Sequence, residues 1–302
     1  MLRDYGPLLD ELRGVTWPAR RAARFGSAGI HPSRLRGTSA EFTEYRPYRQ
    51  GDEPRRLDWK LLARTDRAYL RVTSDRSTLG TVVVVDASAS MAFPEERPAG
   101  ARGRPPAATF GKWRQACRVA VGLAAVAHAG GDPVGVLVVG APGEVMVAPR
   151  TRRGVIAEIA RALDAVIPGV AGTGAPLMPA LAALRAVPRI AIVSDFLDQE
   201  DDALALARTR LVAGAEVVAI AIVAAEELNP AGRPVTAVDP ERPALRRPLV
   251  EATRTAYLEA FGSWRAGLSR GWRAAGATFA EVVTSEPAAR AVRRIAGGGA
   301  AR

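Results

Sequence analysis

Thr81-Val82-Val83-Val84-Val85-Asp86-Ala87-Ser88-Ala89-Ser90-Met91 is an uncharged, β-branched run that ends on one carboxylate and two hydroxyls. Such a run predicts a strand buried on both faces, as inside a parallel sheet, and so points to an α/β fold. The polar residues begin where the strand leaves the core, spaced i, i+2 and i+4. Ligands of open α/β sheets bind outside the carboxyl ends of the strands, so Asp86, Ser88 and Ser90 are expected to face one. Three oxygen donors without sulfur or imidazole suit a hard cation, Mg²⁺ or Mn²⁺, better than zinc or copper.

The rest of the inventory agrees. Cys117 is the only cysteine, and His31 and His128 are the only histidines. Neither a four-ligand zinc site nor a disulfide framework can be assembled within one chain. Cys117 lies in an apolar helical stretch and reads as a core residue, and both histidines receive the same structural reading. Two further segments can complete an oxygen-donor site. One is the loop Ala171-Gly172-Thr173-Gly174-Ala175-Pro176, and the other is the apolar strand 189–194, which runs into Asp195. The acidic run after it, Asp198, Glu200, Asp201 and Asp202, reads as first-turn helix chemistry that complements the helix dipole.

Strand and helix patterns alternate from residue 79 onward, which predicts an α/β domain. The spacing predicts a helix over 7–23 and an edge strand over 68–73. In the core it predicts strands at 81–86, 134–139, 189–194, 215–224 and 278–283, with a hairpin partner at 144–148. The expected helices are 110–128, 152–165, 177–186, 200–212 and 286–295, with a long amphipathic stretch over 249–275. Residues 92–109, rich in Pro, Gly and Arg, read as a mobile loop that either gates the site or is a tolerated surface segment. Residues 226–247, with four prolines, are expected to be irregular and equally ambiguous.

Asp86, Ser88 and Ser90 in a D-x-S-x-S motif, Thr173 in a glycine-flanked loop and Asp195 after a later strand resemble the metal-ion-dependent adhesion site of von Willebrand factor A domains. That resemblance implies a Rossmann-like, mostly parallel sheet flanked by helices. It also implies that Ser88, Ser90 and Thr173 bind the ion directly or nearly so, while Asp86 and Asp195 hold its waters. Upstream, Glu41-Phe-Thr-Glu44-Tyr45-Arg46-Pro-Tyr48-Arg-Gln-Gly51-Asp52-Glu-Pro-Arg55-Arg56-Leu-Asp58-Trp59-Lys60-Leu-Leu-Ala-Arg64-Thr65 is similar to the signature of the bacterial domain-of-unknown-function 58 family. Its members carry a von Willebrand A-like module directly after this segment. They are similar to proteins associated with MoxR-type AAA+ ATPases, which implies a binding or adaptor role. The expected organisation is an N-terminal extension over 1–78 packed on a von Willebrand A-like domain over 79–302, in which residues 92–109 look like an insertion when set against the family pattern.

The upstream block also has physical content of its own. Gly51-Asp52 is a turn signal, and arginines alternate with acidic residues around Tyr45, Tyr48 and Trp59. It reads as a scaffold clamp or as a partner-docking surface built on Arg46, Tyr48, Arg56, Asp58 and Trp59, and the two are compatible.

Net charge is +11, from 42 basic and 31 acidic residues. Residues 79–240 carry 15 basic against 16 acidic, so the excess lies in the two ends. Of the basic residues 40 are arginine, the bias a GC-rich genome produces without selection for binding. No helix-turn-helix, zinc-finger or aromatic-stacking motif is recognisable, so nucleic acid is not an expected partner. The first residues lack the apolar stretch of a signal peptide, and no run of about 18 apolar residues occurs, so a soluble, cytoplasmic protein is expected.

The expected function is non-enzymatic capture of a partner's Glu or Asp through the metal site. One alternative is a Mg²⁺-dependent hydrolase or phosphotransfer enzyme using Asp86 and Asp195. The chain has no phosphate-binding glycine loop, no G-x-S-x-G elbow and no D-x-D at the first strand. A second alternative is a structural scaffold with an inactive metal site.

Overall fold

The computed structural model describes residues 2–20, 28–32, 42–49, 52, 57–73, 76–94, 111–141, 145–169, 184, 186–197, 200–230, 235–242 and 244–298. The elements, in chain order, begin with α1 (Leu2–Glu11), β1 (Ala28–Pro32), β2 (Phe42–Pro47), α2 (Trp59–Thr65), β3 (Tyr69–Thr73) and β4 (Arg76–Ser77). The sheet-forming part follows with β5 (Thr81–Asp86), a 3-10 turn (Ala89–Ala92), α3 (Gly111–Ala129), β6 (Val134–Val139), β7 (Val145–Arg150) and α4 (Val155–Asp164). After these come β8 (Arg189–Ser194), α5 (Glu200–Val212), β9 (Glu216–Val223) and the short α6 (Ala225–Leu228). The chain then forms β10 (Val235–Val238), β11 (Arg246–Leu249), α7 (Glu251–Ala274), β12 (Thr278–Val283) and α8 (Ala288–Ala296).

The chain divides into two compact units, residues 1–18 with 80–302, and residues 19–79. In the larger unit a six-stranded sheet runs in the order β12-β9-β8-β5-β6-β7. Five strands are parallel, and β7 pairs antiparallel with β6 at one edge. Alternation along each strand feeds two cores. Val83, Val85, Val136, Val138 and Ile220 pack with α1, α3, α4 and α8 on one face. Val82, Val84, Ile190, Ile192 and Ala219 pack with α5 and α7 on the other. Burial on both faces explains why these strands read as continuous apolar runs. From β5 the chain moves outward to β6 and β7, then returns to the opposite side as β8. The sheet therefore reverses direction between β5 and β8, the place where doubly wound sheets open a crevice.

The opposite end of the sheet is tied by buried charge. Arg189, fully buried, donates from Nε to Glu216 at 3.1 Å and lies 3.6 Å from Asp132. Its guanidinium also stacks 4.4 Å from the Trp17 ring centroid. A buried arginine is tolerable because its partners offset the desolvation of its charge.

The smaller unit contains two antiparallel pairs, β1 with β4 and β2 with β3, together with α2. Asp58 caps α2 by accepting from the N–H groups of Lys60 and Leu61, and Tyr45 donates its hydroxyl to the same carboxylate at 2.9 Å. Arg46 pairs with Asp52 at 2.7 Å.

Core strands 81–86, 134–139, 189–194 and 278–283 and helix 200–212 coincide with expectation. Three expectations need correction. The N-terminal helix is Leu2–Glu11 rather than 7–23, because the chain turns at Gly14 with φ +78°. The strand expected over 68–73 belongs to a two-stranded sheet with β2 and is not an edge of the main sheet. Residues 226–247 are not wholly irregular, since α6 and the hairpin β10–β11 lie there and continue past them to Leu249. The expected helix 177–186 lies almost entirely outside the described residues, as does most of the loop 92–109.

Candidate functional site

Asp86 is the last residue of β5, and its two oxygens are used differently. Oδ1 accepts from the Ser88 backbone N–H at 2.8 Å, which folds the chain back over the strand end. Oδ2 accepts from the Ser194 hydroxyl at 2.6 Å, at the end of the neighbouring strand β8. The Ser88 and Ser90 hydroxyls lie 3.1 Å apart, on the turn that leads into the 3-10 segment. The motif thus gathers as a closed turn. Its tightness depends on Gly140 at the end of β6, where φ is +77°. A Cβ there would stand 2.8 Å from the Ser88 nitrogen and 3.1 Å from Asp86 Oδ1.

Asp195 follows β8 and is buried. Its Oδ1 accepts from the Leu197 N–H at 3.3 Å, and the Ser194 hydroxyl accepts from the Phe196 N–H at 2.9 Å. Phe196 itself adopts φ +58°, a conformation that a bulky residue holds only when its surroundings enforce it. Burial of its ring against Trp272, with centroids 5.2 Å apart, supplies that constraint.

Lys112, in the first turn of α3, enters the site from behind. Its side chain is 1 % exposed, and its ammonium lies 3.0 Å from Asp195 Oδ2 and pairs also with Glu227 of α6. Burial disfavours the ammonium charge, but the Asp195 and Glu227 carboxylates outweigh it and hold the lysine above its ordinary range. Glu227 is raised by its own burial, against the pull of Lys112. Asp86 is pushed up to about 6, first by burial and then by the charge of Asp195, although its bonds to Ser194 and Ser88 favour the ionised form. Glu241, from the turn of the β10–β11 hairpin, accepts from the Ser90 backbone N–H at 3.0 Å.

Asp86, Asp195, Glu227 and Glu241 therefore bring four carboxylates toward this end of the sheet, with Lys112 as a partial counter-charge. Among the described residues that surplus of negative charge, together with hydroxyl and carboxylate oxygens as the donors, fits a hard divalent cation. Among the described residues no three acidic, imidazole or thiol side chains are placed to hold one metal ion between them, so any ion here would rely on serine hydroxyls as well as carboxylates. His128 lies in the last turn of α3, at the far end of the sheet from Ser88.

The structure thus brings together Asp86, Ser88, Ser90 and Asp195. Thr173 lies outside the described residues. Of the upstream set, Arg46 is paired with Asp52, Asp58 caps α2, Tyr48 is exposed and Trp59 is 64 % exposed, while Arg56 lies outside the described residues. Sequence reasoning missed Ser194, Lys112, Glu227 and Glu241. Lys112 alone left a signal, as a charged residue entering an apolar helix whose next turns are nearly all buried.

Comparison with known proteins gives a family match over residues 44–265, described as "Protein of unknown function DUF58". Uncharacterized proteins of Mycobacterium bovis and Mycobacterium tuberculosis are 30 % identical over 173 residues, 56 % of this chain. The chain spans about half the length of these relatives, 51 % of each. A conserved hypothetical protein BatB from Bacteroides thetaiotaomicron shares 18 % identity at a TM-score of 0.46, covering 72 % of this chain and 97 % of that one. An aerotolerance-related membrane protein from Bacteroides fragilis shares 17 % identity at a TM-score of 0.43, covering 72 % and 98 %. No helix among the described residues of the present chain is long and apolar enough to cross a membrane.

Proposed function

The chain belongs to the family described as protein of unknown function DUF58, and we propose that its strand-end site is a carboxylate-capturing module of the von Willebrand factor A type. Asp86, Ser88, Ser90 and Asp195, with Thr173 by resemblance, would hold Mg²⁺ or Mn²⁺. When bound, the ion supplies a Lewis-acidic position that a Glu or Asp of a partner protein can complete. The chain's own residues orient that position. Asp86 ties the motif turn to β8 through Ser194, and Lys112 keeps Asp195 in place. The module is non-enzymatic in this reading and works beside a MoxR-type AAA+ ATPase in assembly or maturation of protein complexes.

One observation carries the reading: the Asp86 carboxylate bridges the Ser88 N–H and the Ser194 hydroxyl, so the serine pair and Asp195 converge at the sheet's reversal point.

Thermal unfolding with EDTA, Mg²⁺ or Mn²⁺ tests the proposal. An ion at a hundred times its Kd is expected to add about 2.7 kcal/mol to wild type and nothing to Asp86→Ala. Absence of any ion effect on wild type would refute the metal reading and leave the inactive-scaffold alternative.

A further inference from the structure

The hairpin β10–β11 is an exposed arm. Its strands pair from Val235↔Leu249 to Val238↔Arg246, and nearly all of their residues face solvent. Its turn is nevertheless tightly built. Asp239 accepts from the N–H groups of Glu241 at 2.9 Å and Arg242 at 3.1 Å, while its own N–H donates to the Leu245 carbonyl. This fixes the backbone of Glu241, whose side chain is half-buried and crosses 151 residues of sequence to take the Ser90 N–H. Among the described residues no cation is paired with Glu241. A carboxylate held on the backbone at the third position of an oxygen-donor motif suits a cation held at that motif, because a carboxylate has more acceptor sites than this one bond uses.

We infer that Glu241 is the resident carboxylate of the site. It occupies the position that the proposed function assigns to an acidic partner, and a partner enters by displacing the hairpin turn. The inference rests on that reading of the site. An internal carboxylate acts at an effective concentration in the millimolar range, so a weak external carboxylate loses to it while a partner with further contacts does not. The hairpin thereby sets a threshold that favours extended acidic partners over free carboxylates.

The test uses the full chain with Mn²⁺ as probe, read by titration and by water-proton relaxation of the bound ion. Glu241→Gln is expected to weaken Mn²⁺ binding about three-fold or more, because ligand charge tunes affinity. It should also raise the relaxation enhancement as a water takes the vacated position. Acetate should then lower that enhancement at concentrations that leave wild type unchanged. Glu241→Asp keeps the charge but shortens the side chain, and is expected to behave as Glu241→Gln does. If both variants bind Mn²⁺ with wild-type affinity and relaxation, Glu241 is not a resident ligand although the metal site stands. Glu241 is likewise ruled out as a ligand if Glu241→Asp matches wild type, since charge at a distance would then explain the Gln result. If no form of the protein binds Mn²⁺, this inference and the metal reading fall together.

Discussion

Lys112 and Asp195 form a buried ion pair, 3.0 Å from Nζ to Oδ2, that joins the start of α3 to the end of β8 directly behind the candidate site. Removing the lysine leaves Asp195 and Glu227 buried without their cation. Lys112→Met is therefore expected to cost about 3–5 kcal/mol at pH 7, the range for breaking a buried pair from one side. Glu227 is already raised by burial, so acidification from pH 7 toward the ordinary carboxylate range should recover part of that loss by allowing it to protonate. Urea unfolding at the two ends of that range checks this, and an equal loss at both would contradict it.

Asp86 gives the ion-free protein a distinct pH dependence. Its folded pKa of about 6 lies above the ordinary 3.8, so the stabilisation tied to its protonated form is complete below about pH 4 and is lost as pH rises through about 6. Asp86→Asn preserves the shape and the bond from Ser88 without the charge, and its amide NH2 meets Ser194 by donating to the hydroxyl rather than accepting from it. In EDTA it should be more stable than wild type at pH 7 by on the order of 1–3 kcal/mol, and the difference should vanish near pH 4. Chemical denaturation across that window measures it. A variant less stable than wild type at pH 7 in EDTA would show that the buried charge is compensated by other means.

Gly140 and Gly14 have nearly the same φ, +77° and +78°, but different surroundings. An added Cβ meets nothing within 4 Å at Gly14, whereas at Gly140 it meets the Ser88 nitrogen at 2.8 Å. Gly14→Ala should cost only the backbone strain, about 1 kcal/mol. Gly140→Ala should cost more and push the Asp86–Ser88 turn out of place. Mn²⁺ affinity should fall in Gly140→Ala and hold in Gly14→Ala, and equal affinities would mean that the turn relaxes without consequence for the site.

The main sheet was legible because its strands are buried on both faces, so the apolar runs 81–86, 134–139 and 189–194 carry their own boundaries. Exposed elements lack such a signal. The strands β10 and β11 face solvent, and Pro240 and Pro248 interrupt the pattern around them, so nothing in their hydropathy marks a hairpin. The helix expected over 7–23 failed for a local reason, since apolar spacing continues beyond Glu11 although the backbone turns at Gly14. Arg46 and Asp58, read as members of a clamp or docking surface, are engaged within their own unit, whereas Trp59 is left largely exposed.

Local sequence was sufficient for the α/β class, the parallel core and the location of Asp86, Ser88, Ser90 and Asp195 at strand ends, because strand burial and the i, i+2 spacing are properties of short segments. The company these residues keep came from the folded chain alone. Ser194 reaches Asp86 because β8 returns beside β5, Lys112 reaches Asp195 because α3 starts behind β8, and Glu241 reaches Ser90 through a hairpin 151 residues away. Those contacts arise from strand order and loop path, and the charge balance that decides whether a cation is welcome depends on them. A residue's neighbours along the chain do not encode it.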